Sequence, residues 1–310
     1  MNAKQAISVP MLIIVCAGLG LIFNKKACLQ ENAFTIENSA IVADAQVQVI
    51  NSGPDAIIST AEKKKIAILD LSDFISEDTQ QIIRKIGVGK MASYTLTHWR
   101  NPIDSCLDAL EKMGADAEHK SSVLFTYKER RMPQCIVAWQ HGECEHQEVK
   151  RKLLSYLDKI NEGGFFSSQK EKEMAQIIIE IALNPAHIGT ISRSVPAMIK
   201  VAKELKVSGY MLYAIANLSQ EAHTHIALAY PEIINLFDGV VASHQAHALK
   251  SNKKLFERLF DTYKLEPTQC LLIDKEKSTL QVAQDIGIKS IQFIQQKDLK
   301  CSLKKQGILN

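Results

Sequence analysis

The sequence predicts an α/β fold, a doubly wound parallel sheet carrying a helical cap subdomain inserted after its first strand. Three observations predict it. The short apolar run Ile66-Ala-Ile-Leu69 ends on a carboxylate, Asp70. From about residue 205 onward, strand-like and helix-like segments alternate. Between these two regions helical periodicity dominates.

The run 66–69 is continuous rather than alternating, which fits a parallel strand covered on both faces. Ligands of open parallel sheets bind just beyond the carboxyl ends of the strands. Asp70 therefore has two readings: a group that does chemistry, or a simple cap on the next helix, a position that favours Asp. After it, Ser76-Glu-Asp-Thr-Gln carries a cap signal, and Ile82, Ile83 and Ile86 have helical spacing. Further helices are predicted over 102–113, 150–160, 171–182 and 195–205, with 122–127 the one strand candidate among them. The alternating part then predicts strands over 210–215, 239–243, 270–273 and 290–293. The helices between them follow Ser219, run over 252–263 and run over 278–286. This βαβ order means a parallel sheet.

Ahead of the first strand, residues 9–23 are almost wholly apolar, between Lys4 and the pair Lys25-Lys26. The length suits a signal-peptide core and is short for a bilayer span. A membrane anchor, a secretory signal and an apolar helix packed on the body all remain open, so location is cytoplasmic or membrane-anchored, with export also open. Residues 1–28 form this N-terminal segment, and 29–60 read as a linker broken at Asn51-Ser-Gly-Pro54. Core segments are expected over 61–75 and 195–310, and the helical cap over 76–194.

The chain has 310 residues, 46% of them hydrophobic and 23% charged, which is ordinary globular composition. A formal charge of +3 gives no footprint for nucleic acid. The seven cysteines are odd in number and irregular in spacing, which suits free thiols in a reducing compartment.

Four segments fall at or after the carboxyl ends of the predicted strands. They are Ile66-Ala-Ile-Leu-Asp70, Gly209 to Asn217, Phe237 to Ser243 with Leu249-Lys250, and Cys270-Leu-Leu-Ile-Asp274 with the downstream Val282 to Gly287. In order and context they resemble the four motifs of the haloacid dehalogenase-like (HAD) hydrolase superfamily, over about residues 64–295. The resemblance implies a HAD-like Rossmannoid core with a helical cap of the first type. It implies that Asp70 is a nucleophile that forms an aspartyl-phosphate. It implies Mg2+ bound through Asp70 and Asp274, charge neutralisation by Lys250, and substrate contacts from Ser72 and Asn217. The partner it implies is a small phosphorylated molecule.

The chain departs from that scheme at several points. Ser72 stands where a phosphatase has its acid/base Asp, as in the dehalogenase and phosphonatase branches. Asp73 and Phe74 replace a small Gly and Thr. Ala216 lacks the hydroxyl of the second motif, Ser251 replaces a Pro, and Lys275 replaces a second carboxylate and sets a positive charge against any cation. Besides an unrelated doubly wound fold, two readings remain. One is a HAD-like, phosphatase-derived hydrolase with weak or altered activity. The other is a catalytically inactive binding module with a ligand or a protein partner.

Four other features have a functional and a bland reading. Cys135, His141, Cys144 and His146 have the chemistry of a zinc site but no standard spacing, so a surface turn competes. His244 and His247 flank the approach to Lys250 and read as ordinary loop residues. Cys270 reads as a buried small hydrophobe. Arg130-Arg131 reads as an anion-steering pair or, more simply, a solvated one.

Overall fold

The computed structural model describes residues 65–98, 101–123, 125–127 and 130–309. The apolar stretch 9–23, the linker 29–60 and the boundary near residue 60 lie outside them.

Five strands form one parallel sheet: β1 (Lys65–Asp70), β2 (Tyr210–Ala216), β3 (Gly239–Ala242), β4 (Cys270–Asp274) and β5 (Lys289–Gln292). Their spatial order is β3-β2-β1-β4-β5, with every neighbouring pair parallel. From β1 the chain moves outward through β2 to β3, then crosses back to β4 on the other side of β1. The gap between β1 and β4 is therefore the topological switch point, where open α/β sheets hold their ligands.

The apolar run of β1 splits between two faces with the strand period of two. Ala67 and Leu69 join one hydrophobic cluster, and Ile66 and Ile68 join another. On the second face, Leu255, Phe256 and Leu259 of Lys253–Tyr263 and Leu280 and Ala283 of Lys277–Asp285 cover the sheet. On the first face, Met198, Val201, Ala202 and Leu205 of Pro196–Val207 and Leu299 and Leu303 of Gln296–Lys305 do so. Burial on both faces is why β1 lacks alternation in its sequence.

A helical insertion leaves β1 and returns before β2. Its neck is an antiparallel ribbon in which Ile75–Glu77 pairs with Ser192–Ser194. Several helix starts are fixed by a short polar side chain. Asp78 caps Thr79–Ile86, Asn101 caps Pro102–Ala115, and Ser168 caps Gln169–Ala182. Ser219 and Asn252 do the same in the alternating part. Such a side chain accepts from the otherwise unpaired first N–H groups of the helix. His146–Glu162 ends at Gly163-Gly164, where Gly164 has φ +73°, a left-handed conformation that favours glycine. The apolar faces of the insertion share one cluster with Ala67 and Leu69, so its packing is continuous with the sheet.

Two local readings change. Among the described residues of 122–127, Thr126–Tyr127 is strand, paired with Arg130–Arg131 in a short ribbon. That pair is half-buried rather than solvated. Arg130 Nε lies 2.7 Å from Asp108 Oδ1, with Asp104 and Glu111 within 4.0 Å, and Arg131 donates to the Ser121 carbonyl. Acidic side chains on Pro102–Ala115 draw in the guanidinium that sequence alone leaves in water. Among the described residues, no single helix is long and apolar enough to cross a membrane.

Ile68 has no exposed surface in the central strand. Ile68→Ala is expected to cost about 2–5 kcal/mol, measured as a lower urea midpoint at unchanged slope. A loss below about 1 kcal/mol would mean that this face of β1 is loosely packed.

Candidate active site

In-register pairing of Leu69 with Ile273 places Asp70 and Asp274 one step further along neighbouring strands. Neighbouring strands lie about 4.8 Å apart, and side chains at matched positions share a face. The two carboxylates thus face each other across the switch point. Ala216 ends β2 at the same edge, with Ile215 opposite Asp70.

Lys250 comes from the segment after β3 and lies with 1% exposure between the two acids. Its ammonium donates to Asp70 Oδ2 and, at 3.1 Å, to Asp274 Oδ2, with Glu276 Oε2 at 3.4 Å. Asn217 Oδ1 accepts from the Lys250 backbone N–H at 2.8 Å and fixes the turn that carries the lysine. Burial disfavours the charged ammonium, but Asp274, Asp70 and Glu276 together outweigh it and hold Lys250 well above the ordinary lysine range.

Asp70 combines the two roles that its sequence position leaves open. It caps the 3₁₀ turn Leu71–Phe74, with Oδ1 accepting from Ser72 N–H at 2.9 Å, while Oδ2 takes the Lys250 ammonium. Asp274 repeats the pattern, with Oδ1 accepting from Glu276 N–H at 2.8 Å. One backbone donor and one ammonium orient each carboxylate. The Ser72 hydroxyl is buried and has no hydrogen-bond partner among the described residues.

Lys275 does not stand unpaired against the centre. Its ammonium forms an ion pair with Asp73 Oδ1, and Asp73 is 1% exposed. Two departures from the family pattern therefore answer each other: an acid at 73 and a base at 275. Burial pushes the Asp73 carboxyl up to about 7; Lys275 lowers it, and Asp70 and Asp274 raise it further. Burial likewise pushes Asp274 up to about 6, against the pull of Lys250. Sequence reasoning set Asp73 aside as a lost Gly and missed Glu276 altogether. The signals were the opposite charges at 73 and 275, and a second acid two residues beyond Asp274.

The insertion meets this edge through polar contacts. Glu221, at the start of Gln220–Ala229, accepts from Trp139 Nε1 at 2.9 Å and from the His146 backbone at 3.2 Å, and pairs with His146 Nδ1 at 2.7 Å. Ser243 Oγ donates to the Gln140 carbonyl at 2.6 Å, and His247 Nδ1 to the His141 carbonyl at 2.8 Å. The zinc-like group is dispersed by these contacts. His146 goes to Glu221, His141 to Glu143, and the Cys144 thiol to the Cys135 carbonyl. His244 Nδ1 lies 3.0 Å from the Leu218 carbonyl, so both loop histidines serve the backbone. Cys270 is buried, and that burial pushes its thiol up to about 11.

An Asp ending β1, a lysine after β3 and an acid ending β4 meet at the switch point, and a helical insertion follows β1. The fold is α/β, a parallel sheet with a helical insertion after its first strand. No family model matches the chain. Among solved structures, it is similar to a HAD-family enzyme from Bacteroides thetaiotaomicron, at 13% identity over 74% of this chain and 94% of that one, with a TM-score of 0.44. A predicted HAD-like family hydrolase from Porphyromonas gingivalis matches at 14% identity over 79% of this chain and 98% of that one, TM-score 0.47. An L-2-haloacid dehalogenase matches at 13% identity over 73% and 83%, TM-score 0.42. The Bacteroides enzyme has also been solved with magnesium and inorganic phosphate.

The raised carboxyls set a pH dependence. Asp73 has a folded pKa of about 7, above its unfolded value. Its neutral form therefore stabilises the fold fully below the unfolded pKa of 3.8, and that contribution is lost as pH rises through about 7. Asp73→Asn stays neutral throughout. Its stability advantage over wild type is expected to grow between pH 4.5 and pH 7.5 in paired urea titrations; a constant difference would show that Asp73 ionises as easily folded as unfolded.

Proposed function

We propose that this protein is a hydrolase of phosphoric esters that uses Asp70 as a covalent nucleophile. The observation that carries the reading is the Lys250 ammonium shared by Asp70 and Asp274 at the switch point. The backbone N–H of Ser72 and the Lys250 ammonium hold the Asp70 carboxylate in place at the strand end. An Asp70 oxygen attacks phosphorus, the bond from phosphorus to the leaving oxygen breaks, and an aspartyl-phosphate forms. Water then attacks that phosphorus, releasing phosphate and restoring the carboxylate. Lys250 is placed to balance the charge spread over the phosphoryl oxygens. The buried setting strengthens that interaction and limits stray hydrolysis.

Magnesium suits the donor set. Asp70, Asp274 and Glu276 meet at the Lys250 ammonium, and Asp73 pairs with Lys275. The donors are hard oxygens, and Lys275 is held by Asp73. Among the described residues no three His, Cys, Asp or Glu side chains form a closed metal cage. Magnesium does not require one, since it is commonly held by one or two carboxylates together with waters and substrate phosphate. Asp70 and Asp274 would hold it, and bound there it supplies positive charge to the phosphoryl group. Ser72 and Asn217 line the turns beside the nucleophile and the lysine, where a phosphate would lie.

A second reading keeps the fold without the chemistry. Asp70, Lys250 and Asp274 are 1–2% exposed, and Ala216 offers no hydroxyl. A centre so enclosed suits an inactive module that binds a ligand or a protein.

A screen of phosphate esters with magnesium separates the two. Turnover in wild type is expected to fall about a thousandfold or more in Asp70→Asn and about a hundredfold in Lys250→Ala. Turnover that survives Asp70→Asn contradicts covalent catalysis. No turnover with any ester, together with phosphate-induced thermal stabilisation, favours the binding module.

A further inference from the structure

The insertion meets the sheet edge at a seam that gathers five of the chain's nine histidines. His141 and His146 come from the insertion. His223, on Gln220–Ala229, and His244 and His247, just after β3, come from the other side. The His223 and His244 rings lie 5.4 Å apart. The insertion turns against His244 at Gly142, which has φ +74° and where a Cβ would stand 3.0 Å from His244 Cβ. That close approach seats the turn on His244.

The contacts at the seam answer a proton in opposite ways. His244 Nδ1 and His247 Nδ1 each face a carbonyl, of Leu218 and of His141. A carbonyl only accepts, so Nδ1 carries the hydrogen and Nε2 is left to take a proton. Protonation there adds a charge without breaking the bond already made. In the His223–His244 pair it sets two cations against each other in a half-buried contact. At Glu221 the sign reverses. Glu221 accepts from Trp139 Nε1 and pairs with His146 at 2.7 Å, so a charged His146 binds it more tightly. Burial raises the Glu221 carboxyl, but His146 and Trp139 outweigh it and hold it below the ordinary carboxylate range.

Other charged groups sit on the elements packed here. Glu221 and His225 share the helix of His223, and His187 and Glu232 lie on Pro185–His187 and Pro231–Ile234, packed against it. Behind 243–246, the helix Lys253–Tyr263 carries Lys253 paired with Glu257, and Lys254, Arg258 and Asp261, all exposed. On the insertion side Gln134–Gln140 carries Cys135, and His141 beyond it pairs with Glu143. The charged neighbour that acts on His223 is His244, and the one that acts on His244 is His247. Burial, then His244, holds His223 below the ordinary histidine range. Burial also lowers His244, the Leu218 carbonyl draws it back in part, and His247 lowers it further. Neutral rings therefore favour the closed seam. Their contribution is complete above about 6.5, the ordinary histidine value, and is lost as pH falls through the depressed values.

We propose that the His223–His244 pair is an acid-sensitive release in the seam: protonation of both rings drives them apart and unseats the turn at Gly142, while Glu221 keeps Trp139 and His146 in place. Ser243, beside His244, holds the Leu218 backbone, and Asn217 before it fixes the Lys250 turn, so release at His244 loosens the closed edge next to Lys250. The device depends on the seam alone and not on the chemistry at Asp70.

The test is amide hydrogen exchange of the full chain at pH 7.5, 6.5 and 5.5, corrected for the intrinsic rate at each pH. Protection over 140–144 and 243–248 is expected to fall about tenfold from pH 7.5 to 5.5, with 65–70 in β1 unchanged. His223→Gln and His244→Gln each remove one charge of the pair and are expected to hold that fall under about twofold. Protection that does not change with pH in wild type, a loss that includes 65–70, or an undiminished fall in either folded variant overturns the proposal. If neither variant folds, wild type still decides: the His223 and His244 ring signals in NMR must titrate over the same pH range as the loss of protection, and titration over a different range overturns it.

Discussion

The structure of the centre depends on one buried contact set, the Lys250 ammonium between Asp70 and Asp274. Three strands and the turns after them must be in register for it to form. Asp70 ends the central strand, Asp274 ends its neighbour across the switch point, and Lys250 arrives from beyond β3 on a turn fixed by Asn217. Buried ion pairs of this kind add little net stability, because desolvation offsets the attraction. Their cost appears when one partner is lost, since the remaining charges are then buried without compensation.

Around it the charges are redistributed rather than simply lost. An acid at 73 pairs with a base at 275, and Glu276 reaches the lysine from the solvent side with its side chain 30% exposed. Burial governs the protonation of the acids. Carboxyls that would titrate near 4 in water are pushed up to about 6 and about 7 here. The same edge is closed by the insertion, whose Trp139 and His146 both bind Glu221.

Much of this was legible in the sequence, for physical reasons. Strand ends carrying Asp70 and Asp274 stood out because buried apolar runs stop abruptly on a carboxylate. Ser219 and Asn252 marked helix starts because short polar side chains satisfy the first N–H groups. Lys250 could be named because its position comes soon after a recognisable strand. The hidden part depends on contacts distant in sequence. Nothing local to Asp73 tells that its partner is Lys275, some two hundred residues away, and the motif pattern made both look like defects. Arg130 looked solvated because its acidic partners lie on a helix twenty or so residues earlier. The Cys135 to His146 group resembled a metal site because residue type shows in sequence and side-chain direction does not.

The most direct test of the Lys250 contact is a double-mutant cycle on the full chain, pairing Lys250→Met with Asp274→Asn in urea unfolding at pH 8. A coupling of about 1–3 kcal/mol is expected for side chains in direct contact. A coupling below about 0.3 kcal/mol, the level of independent sites, would contradict a shared buried ammonium at the switch point.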